Sequence, residues 1–202
     1  MAAFPRDSQY WASVNGNEMA LAIQKEFRVE VPVMLVDFWN SNGAGYFGHR
    51  EMFFFGAEAS GLPRDSLFVW NCKPFWRKIY PPPDKGGPLF FGETCFGEQL
   101  GFRWEDQRCV FIIFVVDDFS SFVIAENPST LFCDVLSDRF ALTDPHRLGG
   151  VQNLRGELPP GMHYAPTLSP LMGGGQSPDG FTIETPEVHF VTAVAAWEAV
   201  KK

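Results

Sequence analysis

The chain has few cysteines, no long apolar run and no excess of positive charge. Its four cysteines, Cys72, Cys95, Cys109 and Cys133, form no C-x-x-C pair, so their spacing does not support a zinc or redox motif. The longest uninterrupted apolar stretch is residues 109–116, far short of the ~20 residues that cross a bilayer. The N-terminus also lacks the pattern of a secretory signal. These absences predict a cytoplasmic protein with no metal site, no cofactor and no membrane partner.

The charge balance disfavours nucleic acid as a partner. The chain has 24 acidic and 16 basic residues, a net charge of −8, whereas phosphate contacts require lysine and arginine. One segment, KPFWRKIY at residues 73–80, mixes cations with aromatic rings and could stack on single-stranded nucleic acid. The alternative that we favour is that Phe75, Trp76 and Tyr80 belong to the core while the cations extend outward.

Length and composition predict one globular domain over residues 1–202. The sequence is 46% hydrophobic, and its 21 phenylalanines predict an aromatic core. Nineteen glycines and 16 prolines indicate many turns and favour an all-β or α+β fold over a helical bundle. Residues 146–202 are read as a Gly/Pro-rich C-terminal extension, ending in a helix or a last strand over residues 190–200.

Local patterns predict helices around a meander of strands. Asn15 is a cap-forming residue, and Met19, Ile23 and Phe27 after it form one helical stripe. A later helix is predicted to begin after Asn127, with proline at its first position. The third predicted strand is apolar on both faces and is therefore expected to be central in the sheet. The four predicted strands are residues 89–91, 99–104, 109–116 and 119–125.

The stretch VEVPVMLVDFWNSNGAGYFG, residues 29–48, supports two interpretations. Gly43, Gly45 and Gly48 have the G-x-G-x-x-G spacing of a dinucleotide-binding loop, which requires a strand before it and a helix after it. The apolar residues from Val31 to Trp39 instead follow helical spacing, and Gly43 lies where a helix C-cap favours positive φ. We therefore predict a helix followed by turn glycines.

Catalytic signatures are sparse. There is no G-x-S-x-G nucleophile motif. The four histidines, His49, His146, His163 and His189, are isolated in the sequence, and no two have the i, i+4 spacing of a helical zinc site. The sequence therefore predicts no catalytic residues, although a histidine and a cysteine could still meet in space.

Carboxylates dominate residues 93–138. Nine acidic residues stand there against two arginines, a net charge of −7. A charged stretch is commonly just a solvated face, but the turns of a meander could also gather these groups into a surface that attracts a basic protein. The predicted partner-binding residues are Glu93, Glu98, Glu105, Asp106, Asp117 and Asp118.

A family resemblance lies in three stretches: EFRVEVPVMLVDFWNSNGAGYF, FFGETCFGEQLGFRW with the following AENPSTLFCDVL, and LPPGMHYAPTLSPLMGGG. Together they resemble the SUKH superfamily, which includes the yeast cell-wall assembly regulator and many bacterial immunity proteins. The resemblance extends from about Glu26 to Gly175, with Val31-Pro32 in place of the family's Leu-Pro pair. The matching positions are Asn42, Gly43, Leu62, Pro63, residues 90–93, Gly97, Phe102 and Phe132.

This resemblance implies a fold and a function. The implied fold is a single α+β domain with a mixed, largely antiparallel sheet and helices packed on one side. The implied function is non-enzymatic protein binding, most concretely by a bacterial immunity protein that neutralises a basic toxin domain through direct contact. The alternatives are a nucleotide-dependent enzyme that uses Gly43, Gly45 and Gly48, a hydrolase assembled from histidine and cysteine, and a regulatory scaffold without a toxin partner.

Overall fold

The computed structural model describes residues 5–57, 61–138 and 142–201. In chain order the elements are β1 (Arg6–Ala12), α1 (Gly16–Phe27), α2 (Val33–Asn42), β2 (Ala44–Phe47), β3 (Met52–Phe54), α3 (Leu67–Asn71), α4 (Trp76–Ile79), β4 (Leu89–Thr94), β5 (Gln99–Glu105), β6 (Arg108–Val115), β7 (Ser120–Ala125), α5 (Pro128–Thr130), α6 (Pro145–Arg155), β8 (His163–Pro166), β9 (Phe181–Glu184) and α7 (Pro186–Val200). Short 3₁₀ turns connect several of them, and a π-helical turn, Leu131–Val135, follows α5.

Strands β1 to β7 form one sheet in the order of the sequence, and each strand is antiparallel to its neighbours. Strands β8 and β9 form a separate hairpin. The α+β class and the antiparallel sheet are therefore confirmed, and the four predicted strands correspond to β4 to β7. The strand expected to be central, β6, is internal but lies next to the edge strand β7. The middle of the sheet is β4, all of whose residues are buried.

Capping and apolar spacing account for the helices near the N-terminus. The side chain of Asn15 accepts hydrogen bonds from two backbone N–H groups in the first turn of α1, which would otherwise lack partners. Met19, Ile23 and Phe27 are buried, so the predicted stripe is confirmed. Asn127 caps α5 in the same way.

Two of the three glycines in the dinucleotide-like spacing allow β1 to pack closely, and the third lies in a turn. Helix α2 ends directly before Gly43, which has a φ of +70°. A Cβ atom on Gly43 would lie 2.3 Å from the carbonyl oxygen of Ala12, and one on Gly45 would lie 2.1 Å from that of Tyr10. Gly48 belongs to the turn between β2 and β3. The predicted helix is confirmed, and the strand–loop–helix arrangement of a dinucleotide site does not occur here.

Helices cover both faces of the large sheet. Side chains alternate along a strand, so Phe111 and Phe114 of β6 point to opposite faces. Phe111 packs on Phe132 in the turn after α5, whereas Phe114 packs on Trp76 of α4. The structure thus differs from the expectation of helices on one side, because a strand that is apolar on both faces requires a cover on each.

The C-terminal residues form a layer on the Phe114 face of the sheet. Phe190 of α7 contacts Trp70, Phe75 and Trp76, with ring centroids 5.0 to 5.2 Å apart. The segment expected as an extension contributes most of α6, the β8–β9 hairpin and α7, and α7 shares the core of the main sheet. The chain therefore folds as one compact α+β unit.

The basic-aromatic segment belongs to this core, as predicted. Phe75 and Trp76 are buried, while Arg77 and Lys78 are exposed. The two buried rings are consequently not available to stack on bases. None of the described helices combines the length and the apolar character that a membrane crossing requires.

Candidate functional site

The six predicted partner-binding carboxylates do not form one surface. Glu105 and Asp106 are exposed in the turn between β5 and β6, and Asp118 is exposed in the turn between β6 and β7. These turns lie at opposite ends of β6. The other three side chains are buried, which corrects the expectation of a continuous acidic patch. The buried carboxylates are Glu93, Glu98 and Asp117.

Glu93 is the first member of a buried group that we call the polar network, formed by Arg64, Glu93, Gln99, Asp117, His163 and His189. Arg64 donates two parallel hydrogen bonds to the Glu93 carboxylate, at 2.6 and 2.7 Å. Gln99 Nε2 donates to the same carboxylate at 3.1 Å. Burial alone would raise the pKa of Glu93, but the charge of Arg64, assisted by the neighbouring His163, holds it well below its usual range.

The two histidines of the polar network lie side by side, although 26 residues separate them in sequence. Their Nδ1 atoms are 3.4 Å apart. His163 Nε2 lies 3.2 Å from Glu93 Oε1, a close contact that is not aligned as a hydrogen bond. His189 Nε2 lies 3.4 Å from Asp117 Oδ1. The two histidines are thus isolated in the sequence, but the fold places them side by side between two carboxylates.

The two imidazole rings need a hydrogen between the nitrogen atoms that face each other. Carboxylates only accept hydrogen bonds, so Glu93 and Asp117 each favour a hydrogen on the Nε2 atom that faces them. If both rings were neutral and carried their hydrogen on Nε2, the two Nδ1 atoms that face each other would both lack a hydrogen. Their lone pairs would then repel each other. A hydrogen on one of the two Nδ1 atoms removes this repulsion. Burial lowers the pKa of His163 to about 4, although the adjacent Glu93 carboxylate opposes this shift.

Gly97 makes room for the histidine pair. It has a φ of +85°, and a Cβ atom there would lie 2.9 Å from the Nδ1 atoms of both His163 and His189. Its carbonyl oxygen accepts a hydrogen bond from Gln99 Nε2 at 2.9 Å. A glycine is therefore required in the β4–β5 turn for the polar network to assemble.

Arg147 of α6 closes the other end of the network. Its guanidinium lies 3.3 Å from Asp117 Oδ2 and 3.6 Å from Glu98 Oε1, and 3.9 Å from the ring centroid of Phe96. Thr94 Oγ1 donates a hydrogen bond to Glu98 Oε2. Burial nevertheless raises the pKa of Glu98 to about 7; Arg147 opposes this and Asp117 adds to it.

Glu98→Gln is expected to weaken the dependence of stability on pH. The folded pKa of Glu98, about 7, lies above its ordinary value of 4.5. The carboxyl group therefore favours folding below pH 4.5, and this contribution is lost as the pH rises through 7. Between pH 4.5 and pH 8 the wild type should lose about 2–3 kcal/mol more than the variant. Urea unfolding at both pH values measures these losses, and Glu157→Gln at an exposed position is the control. Equal losses of stability in the wild type and in Glu98→Gln would contradict the prediction.

Part of the polar network faces a cavity that we call the hairpin–helix cleft, between the β8–β9 hairpin and α7. The cleft has a volume of about 190 Å³. A histidine backed by a carboxylate at its wall can exchange a proton with a bound molecule. Its polar lining includes Asp117, Thr167, Ser169, Thr182, Glu184 and His189.

Cysteine chemistry finds no support in this arrangement. The four thiols are free. Burial, and then the nearby Glu98, raise the pKa of Cys95 well above its ordinary value, and burial raises that of Cys109 to about 12. Neither is therefore poised as a thiolate nucleophile. Within residues 5–57, 61–138 and 142–201, no three histidine, cysteine or acidic side chains are grouped to hold a metal ion.

Comparison with known proteins identifies a relative in fold. No protein-family model and no curated protein matches the sequence. The crystal structure of Atu4351 from Agrobacterium tumefaciens is similar over 95% of this chain and 86% of that chain, with a TM-score of 0.59 and 15% sequence identity. The two chains share a fold. At this level of identity the likeness concerns the fold alone.

Proposed function

We propose that this chain is a non-enzymatic protein-binding domain of the SUKH superfamily. Its most concrete role is that of a bacterial immunity protein, which neutralises a basic toxin domain in the cytoplasm by direct contact. The observation that supports this proposal is the one-sided charge of residues 109–138. This segment contains five carboxylates and no lysine or arginine.

The exposed carboxylates of this segment surround the edge strand β7. Asp118 precedes the strand and Glu126 follows it, and both are exposed. Asp134 and Asp138 are exposed further along the chain. A surface of one charge sign accelerates association with a partner of the opposite sign. A toxin domain that binds nucleic acid presents such a basic surface, so occupation of that surface would block its active site.

Asp118→Asn is expected to slow association with such a partner about 2-fold or more at low salt. Asp118 accepts hydrogen bonds from the backbone N–H and the hydroxyl group of Ser120. Asparagine keeps an acceptor for these bonds and removes the charge. Stopped-flow association at low and high salt measures the effect, which salt should suppress. Asp117 is unsuitable for this test because it is buried in the polar network.

Glu157→Gln is the matched control for charge, since Glu157 is exposed outside the acidic segment. An equal reduction of the association rate in both variants would indicate a general effect of net charge. An unchanged rate for Asp118→Asn would move the interface away from β7.

The proposal as a whole is tested by capture followed by a functional assay. The tagged protein is recovered from a lysate of its source organism at low salt, and proteins that are lost at high salt are identified. Production of such a partner alone should then reduce cell viability, and co-production of this chain should restore it. A partner that is harmless alone would favour a regulatory scaffold. Recovery with a bound nucleotide would favour an enzyme.

The hairpin–helix cleft supports a second candidate function, acid–base chemistry on a small polar molecule. The supporting observation is that His189 and Asp117 both line this cavity. A ligand that binds the folded protein raises its apparent stability. Thermal unfolding in the presence of small polar metabolites therefore tests this candidate. A shift that disappears in His189→Asn would support it, and an unchanged melting temperature throughout would oppose it.

A further inference from the structure

Strand β7 has one free edge. It pairs with β6 through four consecutive residue pairs, from Ser120 opposite Val115 to Val123 opposite Ile112. Within the described parts of the chain, no strand pairs with its other side, because β7 ends the sheet. Such an edge presents unpaired backbone N–H and C=O groups that can bind a further strand.

The two edges of the sheet differ in their protection against strand addition. The pairing of each edge strand with its neighbour contains one irregularity. The two edges differ in charge, because β1 contains Arg6 and Asp7, and charged residues on an edge strand discourage addition. Strand β7, SSFVIA, contains no charged residue. Its Phe122 and Val123 side chains are 56% and 49% exposed. The β7 edge thus has the apolar, uncharged character of a strand-binding site.

We infer that the β7 edge binds an extended segment of the partner protein as an eighth strand of the sheet, and that this segment has basic residues on both sides of an apolar stretch. This inference rests on the proposed protein-binding function and names its mode. Main-chain hydrogen bonds would supply the pairing, and Phe122 and Val123 would contact alternate side chains of the added strand.

The charges at the ends of β7 determine which strand fits. Asp118 and Glu126 flank β7, whose six residues span roughly 20 Å when extended. A partner strand with lysine or arginine at about this separation would place a cation near each carboxylate. A second copy of this chain is disfavoured. Antiparallel pairing of two β7 strands would bring Asp118 of one copy near Glu126 of the other, and parallel pairing would also oppose like charges.

The direct test uses a defined peptide and the full chain. The probe has an apolar stretch of about six alternating valines and threonines, the length of β7, between pairs of lysines, and it is N-methylated along one edge so that it pairs on one side only. We expect amide chemical-shift changes and slower hydrogen exchange confined to β7 and its neighbours. Binding should be about 10-fold weaker for a peptide with glutamates in place of the lysines, and high salt should reduce this difference.

Variants of the edge complete the test. Phe122→Lys combined with Val123→Lys is expected to abolish peptide binding, because lysine on an edge strand discourages pairing. Both positions are exposed, so the variant should fold. The control is Leu21→Lys on α1, where the side chain is 67% exposed; it should bind the peptide as the wild type does.

Three outcomes of the peptide experiment would overturn the inference: no binding at millimolar peptide, chemical-shift changes that map outside β7 and its neighbours, or equal affinity for the lysine and glutamate peptides. Self-association of the chain that the double lysine variant abolishes would overturn it as well, because the occupant would then be a second copy.

If a toxic partner is captured equally by the wild type and the double lysine variant, strand addition fails while the protein-binding function stands. If no partner with salt-dependent binding exists, the proposed function itself fails.

Discussion

Gly97→Ala is expected to lower the free energy of unfolding by about 2–4 kcal/mol. Two effects combine at this position. An alanine at a φ of +85° is strained, and its Cβ atom would lie 2.9 Å from ring nitrogens of both His163 and His189. Because these rings are buried and held by Glu93 and Asp117, they cannot move aside freely. Urea denaturation of the wild type and the variant measures the loss.

Gly173→Ala separates the two effects. Gly173 has a φ of +88°, similar to that of Gly97, but nothing lies within 4 Å of a Cβ atom placed there. This control should therefore lose only the cost of the left-handed conformation, about 1–2 kcal/mol. If both variants lost the same amount, crowding against the histidine pair would not contribute to the effect.

Arg64→Ala is expected to cost about 3–5 kcal/mol of stability, since it leaves the Glu93 carboxylate buried without its main partner. The pair is bidentate, and both side chains are almost completely buried. Since the folded pKa of Glu93 lies below its ordinary value of 4.5, the stabilising contribution of the ionised carboxylate is present above pH 4.5 and is lost at lower pH. Unfolding experiments at pH 7 therefore show the full difference between wild type and variant.

Lys78→Ala provides the matched control for loss of an ion pair. Lys78 Nζ lies 2.9 Å from Glu198 Oε1, but both side chains are about half exposed. Solvent screening limits such pairs to about 0–1 kcal/mol. If Arg64→Ala also lowered the free energy of unfolding by only about 0–1 kcal/mol, the prediction would be wrong. Glu93 would then become protonated or reach water when the guanidinium is removed.

The regular elements could be predicted because their signals are local. Asn15 and Asn127 cap their helices through side chains a few positions away from the groups they bind. Strands β4 to β7 are neighbours in both sequence and sheet, so short apolar segments along the sequence were sufficient to predict them. The caps Asp144 and Thr185 precede Pro145 and Pro186 at the starts of α6 and α7, and could have located these two helices within the Gly/Pro-rich segment.

The polar network could not be predicted in this way. Its members come from α7, β4, β5, β8 and loop segments, and no fixed spacing relates Arg64 to Glu93 or His163 to His189. The same limitation explains why the six carboxylates predicted to bind a partner do not form one surface. In the sequence, Asp117 and Asp118 contribute equally to the charge of the segment. In the fold, Asp117 is buried against His189 and Asp118 is exposed to solvent. Burial depends on the tertiary arrangement, which local charge patterns do not contain.

The dependence of one sheet face on the last helix has a consequence for synthesis in the cell. Strands β4 to β7 can pair as soon as they emerge, because their contacts are local. Helix α7, which completes the cover over Trp76, begins about 70 residues after β6 ends, a delay of roughly 4–14 s at ribosomal speed. Throughout that interval the nascent chain carries a partly uncovered aromatic surface. The yield of folded protein should therefore respond to translation rate and to chaperone supply even where the completed fold is stable.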